Sequence, residues 1–191
     1  MINTLSIVIP SREIFLEDRE EFIYTEEKKL TLLHCLRSIN EWESKWKVPY
    51  LQDEKEAREK PKTIEQYLDY IRCMALEPVE IGTLYGLTKE HHEQIAAYIN
   101  DTMTATWFSE EPKSSKKKEK HVMTAERIYS NMFQCGVPLE CEEWHLNKLL
   151  TLLRVISIDM NPEKKKMSKS EIFARNNALN QARRAKMHSK G

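Results

Sequence analysis

Cys135, Cys141 and His145 are the residues whose types first suggest chemistry. Cys141 and His145 stand four apart, so on a helix they share a face, and Cys135 lies across a turn at Gly136. Thiolate and imidazole together suit zinc, but a structural zinc site takes four protein ligands. No fourth ligand stands out, and the five-residue gap between the cysteines is not a common knuckle spacing. The expectation is therefore no metal, with small buried thiols and a hydrogen-bonded histidine at a helix start. His34 and Cys35 pair a base with a thiol. Adjacent residues on a strand point to opposite faces, which separates a nucleophile from its base. The sequence holds no Gly-x-Ser-x-Gly, His-Glu-x-x-His, P-loop or paired-carboxylate pattern. No catalytic residue, cofactor or metal is expected, and the chain reads as a non-enzyme.

Lys166 to Ser170 spell KMSKS, the letters of the nucleotide-binding signature of class I aminoacyl-tRNA synthetases. There the second lysine steadies phosphates beside a Rossmann site. That chemistry also needs a His-x-Gly-His element and alternating strands and helices. The adjacent pair His91-His92 lies in a helical pattern without a glycine, and no βαβ alternation surrounds the motif. The stretch has a local explanation instead. Lys164 to Lys166 form a charged linker, and Ser168 with Glu171 fits a capping box opening a last helix.

That helix, 169–187, is the remaining functional candidate. Residues 163–191 carry nine Lys/Arg and two Glu, a net of +7, so residues 1–162 sum to −7 in a chain of zero net charge. Ile172, Asn176, Leu179 and Ala182 run as a narrow line along the helix, with Phe173 beside it and Arg183 and Arg184 at its end. A narrow line suits docking one neighbour. The partner-binding expectation falls on Ile172, Phe173, Asn176, Leu179, Arg183 and Arg184. The same basic residues, with Asn177, Asn180 and Gln181, also permit a nucleic-acid contact. Against that, aromatics are not interleaved with the basic residues.

The elements that must position these residues follow from patterning. The chain has 191 residues, 40% hydrophobic and 31% charged, which fits one globular domain with a polar surface. Its apolar runs are too short to cross a bilayer, and the first residues lack a basic leader, so a cytoplasmic site is expected. The four cysteines lack a Cys-x-x-Cys pair and are expected to be reduced. Only four glycines argue against a turn-dense all-β fold. Residues 4–9, 20–24 and 29–39 read as two or three antiparallel strands, with 11–19 as a polar link. Ser38 or Asn40 can cap a helix over 41–47, with Trp42 and Trp46 on one face as a core anchor. Residues 52–62 are a solvated helix or loop.

Thr63 and Gln66 form a capping box for a helix through Tyr67, Leu68, Ile71 and Met74, ending near Pro78. Residues 79–87 read as a turn or short strand, and Thr88 opens another helix. Residues 109–121 lack any apolar anchor and read as a flexible charged loop. Thr124 caps a helix that Gly136 ends in the left-handed conformation. Helix 139–158 carries a wide apolar face and reads as the central core helix. The fold class is α+β and mainly α-helical: short N-terminal antiparallel strands, then five or six helices. The regions are 1–108, a loop at 109–121, a helical pair at 122–162 and a basic linker and helix at 163–191, in one domain overall.

Six stretches together carry a family resemblance: IPSREIFLEDREEFIY, SINEWESKW with KVPYL, YIRCM, YINDTMTATWF, WHLNKLLTLLRV and KKKMSKSEIFARNNALNQARR. The ensemble, from Ile9 to Arg184, resembles the tail assembly chaperones encoded in the tail-morphogenesis region of long-tailed bacteriophages. The resemblance implies a non-enzymatic protein of the host cytoplasm that holds the tape-measure protein soluble or helps tail-tube subunits collect on it. The alternatives are a structural tail or connector component of the virion and a nucleic-acid-binding adaptor.

Overall fold

The structure, a computed structural model, describes residues 3–16, 20–106, 108, 122–160, 173 and 177. The expectations for 109–121 and for the KMSKS segment lie outside these residues. The chain divides into two compact units, Met1–Val155 and Ile156–Gly191. In the second, the described residues are 156–160, the end of the helix Leu146–Met160, with Phe173 and Asn177, both helical.

The expected class holds: short antiparallel strand pairs precede a mainly helical chain. Four strands, β1 (Leu5–Ile9), β2 (Arg12–Leu16), β3 (Glu21–Thr25) and β4 (Lys28–Leu32), form two antiparallel pairs, β1 with β4 and β2 with β3. Both ladders keep one register, from Leu5 opposite Leu32 to Leu16 opposite Glu21, so they form a single ribbon broken in the middle. The stretch expected as a polar link therefore contains a strand. Its charged residues mask an alternation in which Arg12, Ile14 and Leu16 turn inward while Glu13 and Phe15 turn out.

At the break the ribbon turns over. Ile7, Ile9, Leu30 and Leu32 are buried in the first ladder, whereas beyond Pro10-Ser11 and Glu26-Glu27 the inward positions change parity. Thr25, 3% exposed, closes the corner. Its hydroxyl accepts from the Arg12 amide at 3.3 Å and shares its proton between the carbonyls of Pro10 and Arg12. Arg12 Nη2 donates to the carbonyls of Tyr85 and Leu87 at 3.3 and 3.1 Å. Between those two residues, Gly86 packs so closely that a Cβ there would lie 2.6 Å from Ile9 Cγ2.

The helices are α1 (Leu36–Trp46), α2 (Glu54–Glu59), α3 (Ile64–Met74), α4 (Ile81–Leu84), α5 (Lys89–Asn100), α6 (Ala125–Gln134) and α7 (Leu146–Met160), with a 3-10 turn at Leu139–Glu143. Helix α1 starts earlier than the sequence suggests. Cys35 is its N-cap, and Ser38 is a helical residue whose Oγ accepts from the Cys35 amide at 3.1 Å. The strand signal of 29–39 thus ends at Leu32. Helix α1 supplies Leu36, Ile39 and Trp42 to the core and packs on α3 and α6. Of the two tryptophans expected as a core anchor, Trp42 is fully buried and its indole N–H donates to Gln66 O at 2.8 Å, whereas Trp46 is only partly buried.

Helix α3 begins with the Thr63/Gln66 capping box, and α5 with Thr88 accepting from the His91 amide. Residues 81–84 form a helical turn rather than a strand. Leu32 bridges instead to Ala75, and Leu33 N donates to Met74 O at 2.8 Å, so the chain after α3 covers the free edge of β4. Gly136 takes φ 66°, and Val137 N closes the end of α6 on Met132 O at 2.9 Å. Helix 139–158 is not continuous. Trp144 is extended and His145 bridges to Cys35, which separates the 3-10 turn from α7. The central helix is therefore α1, whereas α7 buries Leu146, Leu149 and Leu153.

Candidate functional site

The two histidines singled out by sequence come together. The Cys35–His145 bridge and the bond from Leu146 N to His34 O at 2.9 Å dock the start of α7 on the start of α1. The rings of His34 and His145 meet edge to face, 5.1 Å between centroids. Around them stand Tyr70, with Oη 2.5 Å from His34 Nδ1, and Tyr98, whose carbonyl lies 3.0 Å from His145 Nε2. Tyr50 stacks on Tyr70 at 3.9 Å. Burial, and then the charge of His145, push His34 down to about 3. Burial also lowers His145, against the opposing bond to the Tyr98 carbonyl.

Both histidines are 2% exposed, and Cys35 is 1% exposed. The buried Cys35 thiol lies against Ser38 Oγ at 3.7 Å. This cluster is closed to solvent and hydrogen-bonded except at His145 Nδ1, which is buried without a partner. It joins β4, α1, α3, α5 and α7 rather than facing a substrate. Among the described residues no group of three His, Cys, Asp or Glu can hold a metal ion, so Cys135, Cys141 and His145 do not form one there. Among the same residues no helix is long and apolar enough to cross a membrane.

A second buried group lies on α1 and α3. Asp69, 0% exposed, accepts from Lys45 Nζ at 2.7 Å, Trp46 Nε1 at 2.8 Å and Arg72 Nε at 2.9 Å. Burial alone would raise its carboxyl, but these hydrogen bonds outweigh burial and hold it below its usual value. Glu43 reaches from α1 to accept from Tyr50 N at 2.7 Å and from Ala125 N at 2.8 Å. The first-turn amide of α6 is thus satisfied by Glu43, and Thr124 makes no side-chain cap.

The feature that faces outward is the β2–β3 arm. Phe15 and Phe22 are directly opposed across it, with ring centroids 4.8 Å apart, and Tyr24 opposes Glu13 on the same face. Phe22 is 67% exposed and Tyr24 71%. Such exposure of neighbouring aromatics is unusual and marks binding surfaces. The inner face, through Leu16 and Ile23, roofs a cleft of about 330 Å³ lined also by Trp46, Ile81, Gly82 and Tyr85, with Lys45 and Glu65 among its polar groups. The arm's aromatics are not among the six residues chosen from sequence. The alternation of REIFL and EFIYT about a shared turn was the signal that could have found them.

Comparison with known proteins finds no match. No family model, no curated protein and no solved structure matches this chain. Of the six residues chosen from sequence, Phe173 is helical and 68% exposed. Ile172, Asn176, Leu179, Arg183 and Arg184 lie outside the described residues.

Proposed function

We propose that this chain is a non-enzymatic protein-binding factor, a tail assembly chaperone that engages the tape-measure protein during phage tail morphogenesis in the host cytoplasm. The supporting observation is the exposed aromatic face of the β2–β3 arm, where Phe15, Phe22 and Tyr24 stand on one side of a ribbon anchored by Arg12 and Thr25. A chaperone of a long, partly apolar helical client needs apolar area held open on a rigid base, and buried aromatic anchors supply much of the binding energy of such contacts. The resemblance running from Ile9 to Arg184 supplies the client.

Co-expression tests this reading. The chain should co-purify with a tape-measure protein, raise its soluble fraction and be absent from purified particles. Stoichiometric recovery from virions would instead make it a structural tail or connector component. The +7 charge of residues 163–191 supports a second reading, a nucleic-acid adaptor. There, binding of RNA or DNA falls steeply with salt and is lost on reversing Arg183 and Arg184. Unchanged mobility of both nucleic acids at low salt removes it.

A further inference from the structure

We propose that the outer face of the β2–β3 arm docks a lysine- and arginine-rich amphipathic segment of a partner protein. Three aromatic rings provide the apolar part of the face: the Phe15–Phe22 pair and Tyr24. Among the described residues of the arm the exposed charges are carboxylates, and Lys28 and Lys29 follow at its base. Glu13 shares the face as the cross-strand neighbour of Tyr24, Glu20 is exposed toward the tip, and Glu26 and Glu27 are exposed at the base. Arg12, the basic residue among the arm's described positions, turns inward to the carbonyls of Tyr85 and Leu87.

Open aromatic faces beside carboxylates attract guanidinium and ammonium groups through the ring quadrupole and the carboxylate charge together. The same field repels phosphate backbones and acidic proteins. A wholly apolar partner would leave the glutamates idle, and a wholly basic one would leave the rings wet. Alternating apolar and basic side chains satisfy both. The occupant is therefore a basic amphipathic segment, and the ribbon meets it with a face fixed by cross-strand pairing rather than by a loop.

This inference rests on the protein-binding part of the proposed function and is independent of the client's identity. The test titrates the full chain into a labelled 18-residue Leu/Lys peptide of helical pattern, read by fluorescence anisotropy at low salt. The control is the same peptide with Glu for Lys. The Leu/Lys peptide should bind at least about tenfold more tightly, a difference of about 1.4 kcal/mol. Phe22→Ser with Tyr24→Ser should remove that preference while leaving the circular dichroism unchanged. Should that pair impair folding, Glu13→Lys with Glu26→Lys alters only exposed carboxylates and should weaken binding to the same degree. Equal affinity for the two peptides, or full affinity in folded variants, overturns the proposal. So does a dimer of the free chain that Phe22→Ser dissociates, which would give the face to a second copy. A gain of peptide affinity in Arg183→Glu/Arg184→Glu would give it to the chain's own terminus and overturn it equally. If the peptide fails while the tape-measure protein still co-purifies, the docking assignment falls and the chaperone reading stands.

Discussion

Tyr70 Oη lies 2.5 Å from Nδ1 of His34, and both side chains are closed to solvent. That one contact ties the corner between β4 and α1 to the middle of α3. A buried polar group deprived of its partner costs about 1–3 kcal/mol. Tyr70→Phe is therefore expected to lower unfolding stability by that amount. The fold should survive, because the ring and its stack on Tyr50 remain. Urea denaturation followed at the tryptophans measures the difference.

The same histidine makes stability depend on pH. Its folded value, about 3, lies below the ordinary 6.5 because burial disfavours the charged ring. The unfolded chain therefore takes up a proton that the folded chain refuses. The contribution is complete above pH 6.5 and is lost as pH falls toward 3. One pKa unit corresponds to about 1.4 kcal/mol, so by pH 5 the loss from His34 is on the order of 2 kcal/mol. His145 has the same sign. Melting temperatures between pH 7.5 and pH 5 should fall in the parent and fall less in His34→Gln, which starts from a lower value.

Asp69 should respond in a lower window. Its carboxyl is held below the usual value of 3.8, so its contribution is present above that pH and fades only in stronger acid. Asp69→Asn keeps the shape but removes the charge that Lys45 and Arg72 share. Asp69 is buried but Lys45 and Arg72 are partly exposed, so solvent screens the pair and the cost is about 1–3 kcal/mol. The loss should be present at pH 7 and shrink only in acid below pH 3.8. Chemical denaturation at the two pH values separates it from the histidine effect.

Two glycines near the arm should behave oppositely. Gly82 sits in α4 with no atom within 4 Å of a Cβ, whereas at Gly86 a Cβ would meet Ile9 Cγ2 at 2.6 Å. Gly82→Ala should stabilise by about 0.5–1 kcal/mol through lower backbone entropy. Gly86→Ala should destabilise by about 1–3 kcal/mol, because the buried Ile9 has no room to give way. Paired thermal melts check both signs.

Local signals were legible where they stand next to each other in sequence. The Thr63/Gln66 and Thr88 caps, the left-handed Gly136 and the Trp42 anchor all appear where patterning puts them. What escaped depends on distant partners. Helix α1 reaches back to Cys35 because Ser38 bonds the Cys35 amide and His145 bridges to Cys35. Helix 139–158 breaks at the same bridge. The pairing of His34 with His145 joins residues that no spacing rule connects. At the candidate site, β2 was hidden because its outward residues are charged or aromatic, and a strand exposed on one face lacks the apolar density that announces a core strand.

The most direct test is the soluble fraction of a tape-measure protein expressed with the chain, measured beside the same expression with Phe15→Ser/Phe22→Ser/Tyr24→Ser. A protein-binding factor acting through the arm predicts a soluble complex that the folded triple variant fails to form. A client equally insoluble with and without the parent chain would contradict the account.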